Sequence, residues 1–162
     1  QNPRPEIVVG LIGAVGTSLQ SVVDLLCQEL RRADYDPKEI RLSSLLSDCH
    51  RHTHLKDLAG GPEDVRIDQS MEAGDKFRQG ANRGDAVALL SIAKIRELRR
   101  SKTGESEVPA EGTAYILNSL KHPAELETLR EVYGNSFIAL SVYSPRHKRL
   151  EDLSKRIAQS RE

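Results

Sequence analysis

The stretch Glu6-Ile-Val-Val-Gly-Leu-Ile-Gly13-Ala-Val-Gly-Thr-Ser18 decides the fold. Its first half is a β-branched and aliphatic run, the composition of a buried strand, and glycines at 10, 13 and 16 lead out of it. From Thr17 the period changes. Leu19, Val22, Val23, Leu26 and Leu30 fall at i, i+3, i+4, i+7 and i+11, one face of a helix. Arg31 and Arg32 stand at the helix end where the macrodipole favours cations. The opening unit is strand, glycine-rich turn, helix.

Working outward, Tyr35-Asp36-Pro37 is a turn signal, and Glu39 to Ser43 predicts a second strand running into a helical Ser44-Leu45-Leu46. No period is sustained from Ser47 to Asp68, so an irregular excursion is expected there. A helix is predicted from near Asp68 over Met71 to Phe77. Another is predicted from Asp85, as N-cap, to about Arg100, with Ala88, Ile92 and Ile95 inward. Residues 101–112 are polar and rich in breakers, an exposed loop. Thr113 to Leu117 reads as a third strand; Pro123 opens a helix that Gly134 closes. Ser136 to Tyr143 is a fourth strand, apolar enough to be covered on both faces. Ser144 precedes Pro145 as an N-cap, with Leu150, Leu153 and Ile157 as the inward stripe of a last helix. Alternating strands and helices imply a single three-layer α/β domain over residues 1–162, with a parallel sheet of about four or five strands and ligands at their carboxyl ends.

Glycines between a strand and a helix leave backbone N–H groups converging on a phosphate without a side chain in the way. Gly10, Gly13, Ala14, Val15, Gly16, Thr17 and Ser18 are the candidate nucleotide-binding residues, with Mg²⁺ as the companion of a bound nucleotide. The alternative is a tight turn whose glycines only permit close packing. Against the phosphate-loop pattern G-x-x-x-x-G-K-[ST], Gly10 and Thr17 fit the ends, but Val15 replaces the second glycine and Gly16 the lysine. Phosphoryl transfer depends on positioned cations, so the loss bears on catalysis more than on binding. A cation from elsewhere in the chain would be a substitute.

Val9 to Thr17, Met71 to Arg78, Thr113 to Pro123 with Leu126, Leu129, Arg130, Val132, Tyr133 and Gly134, and Val142 to Arg146 together resemble the N-terminal P-loop kinase-like domain of the anti-phage deoxycytidylate (dCTP) deaminase family. The resemblance implies a P-loop nucleotide-kinase-like fold, with the strand order 2-3-1-4 of nucleotide kinases, that precedes a zinc-dependent deaminase domain, a hydrolase acting on deoxycytidine nucleotides during phage infection. The zinc deaminase signature is H-x-E with P-C-x-x-C, and neither half occurs here. The expectation is an N-terminal, nucleotide-binding regulatory module, holding ATP or a deoxynucleotide, that does not itself deaminate; Zn²⁺ belongs to the missing domain, its partner. The rival expectations are a small nucleoside or nucleotide kinase with a degenerate loop, and a scaffold whose exposed faces bind RNA or a second subunit, including a homo-oligomer.

By the same resemblance Arg78 contacts a nucleotide phosphate, with a fork suited to bidentate recognition, and Arg146 stands where a kinase lid arginine does. Lys121 follows the third strand, at the end that faces a ligand. Asp85 is a substrate contact or simply an N-cap. His50, His52 and His54 beside Cys49 lack a well-spaced fourth ligand, so no metal site is expected. Arg96, Arg99, Arg100 and Lys102 suit a helix C-terminus, and Cys27 suits packing.

Composition narrows the classes. Lys+Arg and Asp+Glu balance at 24 each, which removes a global electrostatic argument for nucleic-acid binding. Four Tyr, two Phe and no Trp argue against a base-stacking surface. No apolar run approaches a membrane span and no secretory leader is visible, so the expected compartment is the cytoplasm, with both thiols reduced. The chain begins Gln-Asn-Pro-Arg-Pro, without Met, as a fragment of a longer protein would.

Overall fold

The computed structural model describes residues 4–49, 55–57 and 60–162. Four strands, β1 (Ile7–Gly13), β2 (Asp36–Arg41), β3 (Thr113–Leu120) and β4 (Phe137–Val142), form one all-parallel sheet in the order β2-β3-β1-β4. The helices are α1 (Leu19–Arg32), α2 (Leu42–Asp48), α3 (Glu63–Ala81), α4 (Ala86–Thr103), α5 (Pro123–Tyr133) and α6 (Arg146–Ser160). The result is a three-layer α/β fold of the P-loop kind, with the expected strand order.

The pleat of the central strands sorts the core. Val9 and Leu11 of β1 and Ile116 of β3 point to one face, where α1 closes over them with Val23, Val22, Leu26 and Leu30. Val8, Tyr115 and Leu117 point the other way, into the larger cluster built with Val87, Ala88 and Ile95 of α4 and Leu129 of α5. Gly10 belongs to that second face: a Cβ there would lie 2.6 Å from Leu120 Cδ1 and 3.0 Å from the Phe137 ring, so its glycine makes room for packing inside the sheet. Cys27 packs beside the first cluster, as expected of a small apolar side chain.

Several elements differ from the sequence reading. β2 begins at Asp36, through the Asp-Pro pair taken as a turn, because an edge strand leaves a proline's missing N–H unharmed. α3 starts at Glu63 rather than near Asp68; Pro62 occupies its N-cap, and the first turn carries Glu63 and Asp64. β3 runs on to Leu120, and α4 to Thr103 before Gly104 ends it in a left-handed conformation. β4 is not covered on both faces: it is the other edge strand, and Ile138 is 49% exposed. α6 begins at Arg146 with Pro145, not Ser144, at the N-cap. Its stripe is not a core stripe, since the helix has no buried residue and leans on α3 instead of the sheet. The His50, His52 and His54 group lies outside the described residues.

At the amino ends of the strands, Glu6 is buried and takes three bonds from Arg99, the shortest 2.5 Å, and a fourth from the Ala110 amide at 2.7 Å. Arg96 pairs with Glu107, and Lys102 reaches Thr113 Oγ1 at 2.6 Å and the Glu111 carbonyl. Most of the basic run is therefore spent on closing the 104–112 connection.

Candidate functional site

At the carboxyl ends of the strands lies an open cleft of about 880 Å³. Ala14, Val15, Gly16 and Thr17 form one wall; α2 and α3 supply another, and Asn118, Ser119, Lys121 and His122 come from the end of β3 and the turn beyond it. This is where a parallel sheet presents a ligand.

The glycine loop turns sharply. Gly16 has φ +88°, and Thr17 N–H donates to the Ala14 carbonyl at 3.0 Å. Leu19 N–H donates back to Thr17, whereas the amides of Val15, Gly16 and Ser18 have no acceptor among the described residues. No side chain caps α1: the Ser18 hydroxyl meets Ser21 Oγ at 2.9 Å instead, and the first turn holds no acidic residue. Thr17 Oγ1 is buried without a hydrogen-bond partner. An uncapped helix N-terminus with free amides before it is complementary to an anion.

The opposite side of the loop is clamped. Arg149 of α6 donates from Nη1 to the Val15 carbonyl at 3.0 Å and from Nε to the Ser144 carbonyl at 3.1 Å. Its own carbonyl oxygen would be 2.8 Å from a Cβ at position 16. The conformation and the neighbour together restrict that position to glycine.

Next to the loop, Lys121 Nζ donates to the Gly13 carbonyl at 3.0 Å. The ammonium is accessible from the cleft yet flanked by protein, and the lost hydration pushes its pKa below the ordinary lysine value. Its backbone is fixed from beneath by Glu125, which is fully buried. Glu125 Oε2 accepts from the amides of Lys121 at 2.7 Å and His122 at 3.0 Å, while Oε1 accepts from Arg78 Nη2 at 2.7 Å. His122 Nδ1 accepts from the Ala124 amide, which completes a capping box at the start of α5.

The residues singled out in the sequence thus separate. Ala14, Val15, Gly16, Thr17, Arg78 and Lys121 line the cleft together, and Gly13 adjoins it through its carbonyl. Gly10, Ser18, Asp85 and Arg146 are not among its lining residues. Asp85 sits at the N-cap of α4 but does not cap it. Its carboxylate accepts two bonds of 2.8 Å from Arg83 and one of 2.6 Å from Thr128 Oγ1. Arg83, then Thr128, holds its pKa well below the usual carboxylate range.

Arg66, Arg149, Arg156 and Glu125 escaped the sequence reading. Arg149 and Arg156 stand seven apart, one face of a helix; His122 and Glu125 have the spacing of a capping box. No protein-family model matches the chain, and no curated protein is close enough in sequence to count as a relative.

Proposed function

We propose that this chain is a nucleotide-binding module that senses its ligand without transforming it. On the resemblance drawn from its sequence, we place it in the service of a deoxycytidine-nucleotide deaminase of anti-phage defence. The observation that carries the binding step is the set of free loop amides, Val15, Gly16 and Ser18, ahead of an uncapped helix on the wall of a nucleotide-sized cleft. The Thr17 hydroxyl, buried without a partner, occupies the phosphate-loop position that touches Mg²⁺. When bound, that ion would neutralise phosphate charge. Binding is favoured over phosphoryl transfer because the two carboxylates among the described lining residues, Glu63 and Asp75, are both ion-paired, with Arg66 and Arg156 and with Arg78.

Thermal unfolding with ATP and each deoxynucleoside triphosphate, with Mg²⁺, tests the reading. A ligand at ~100 times its Kd adds about 2.7 kcal/mol to stability, a shift of several degrees. In Gly13→Val, a Cβ 2.9 Å from Leu19 Cδ2 intrudes at the start of α1. The expected outcome is a lost ligand-dependent shift with an unchanged far-UV spectrum. Steady release of phosphate from ATP by the wild type would replace a sensor with a kinase or hydrolase, and an absent shift in the wild type would remove nucleotide binding.

A further inference from the structure

Lysine is missing from position 16, and the structure gives the reason: a side chain there meets the Arg149 carbonyl at 2.8 Å, on a backbone held at φ +88°. In a phosphate loop that lysine reaches the β- and γ-phosphates while the amides cradle the α and β. The loop described above has the amides and has lost the charge. Resting on the nucleotide-binding reading, we propose that Lys121 takes the place of the absent loop lysine and holds the terminal phosphates of a nucleoside polyphosphate.

Three observations converge on this residue. It immediately follows Leu120, the last residue of β3, the strand paired with β1, so its ammonium arrives at the loop from the neighbouring strand rather than from within the loop. Nζ already touches the loop, at the Gly13 carbonyl. Finally, it differs from the other Lys and Arg side chains among the described residues that line the cleft. Arg41 is paired with Glu39 at 3.0 Å, Lys56 with Asp48 at 2.8 Å, Arg78 with Glu125 at 2.7 Å, and Arg66 and Arg156 both with Glu63. Among the described residues Lys121 has no carboxylate within ion-pair distance; its side chain has a carbonyl for a partner, and its charge is left for an anion. Glu125, the nearest acidic influence on it, spends both oxygens on Arg78 and on two backbone amides.

The role predicts a dependence on phosphate number. Titration calorimetry with AMP, ADP and ATP, and with dCMP, dCDP and dCTP, should show wild-type affinity rising along at least one series. Lys121→Met should bind the triphosphate of that series at least tenfold more weakly and the monophosphate within twofold of the wild type. Lys121→Arg, which keeps the charge, should recover part of the loss and serves as the folded control. Triphosphate binding by Lys121→Met within twofold of the wild type overturns the assignment while leaving nucleotide binding intact. Equal losses for mono- and triphosphate overturn it as well, since they indicate a merely structural lysine. A wild type that binds none of the six overturns both this assignment and the nucleotide reading.

Discussion

The two ends of the parallel sheet treat charge in opposite ways. At the amino end, Glu6 and Arg99 are both withdrawn from water, 5% and 13% exposed in their side chains, and each carboxylate oxygen has a donor. Neither oxygen of that carboxylate is left over for a visitor. At the carboxyl end, the amides of Val15 and Gly16 and the Thr17 hydroxyl border the cleft without partners among the described residues, and the Lys121 ammonium beside them has a carbonyl but no carboxylate. Buried polar groups are ordinarily paired because an orphan forfeits hydration without return. The first end stabilises the fold; the second holds groups in readiness for something the fold does not contain.

Removing a charge should therefore cost stability at one end and little at the other. The largest effect is expected for Glu6→Ala, which strands Arg99 without its counter-ion. Breaking one side of such a pair costs about 3–5 kcal/mol, measurable as a lower urea midpoint. A smaller and pH-dependent effect is expected at Asp85, which holds α4 to α5 outside the cleft. Its pKa is depressed in the folded state, so its stabilising contribution is complete above the unfolded value of about 3.9 and fades as the pH falls through that value toward the folded one. Asp85→Asn should start from lower stability at pH 7 and lose less of it on acidification. The smallest change should follow Lys121→Met in the unligated protein: less than about 1 kcal/mol in either direction, the scale of one solvent-accessible hydrogen bond. Comparable losses in Glu6→Ala and Lys121→Met, measured in one denaturation series, would break the contrast between the ends.

How far the chain announced this arrangement depends on the kind of signal. The first strand–glycine–helix unit was legible because its period changes from two to 3.6 within a few residues, and the parallel sheet followed from the alternation of elements, its strand order from the resemblance to nucleotide kinases. Element edges were less so. Asp36-Pro37 has turn chemistry but lies on an edge strand, where geometry overrules it. Leu150, Leu153 and Ile157 have helical spacing, yet spacing does not say whether the surface met is a sheet or another helix. In the cleft, Lys121 and Arg78 were found through position and resemblance. Glu125 was hidden, since a glutamate in the first turn of a helix is ordinarily a surface residue, and full burial follows only once Arg78 arrives from 47 positions away. Arg99 has the position of a helix-end cation, and Glu6, 93 residues earlier, carries no local sign of being its partner.

Glu125 of α5 has a mechanical meaning. One of its oxygens grips a guanidinium on α3, and the other grips the peptide groups that carry Lys121. Opposing walls of the cleft are fastened to one rivet beneath the floor, so the spacing between them is gauged by a group no ligand can reach.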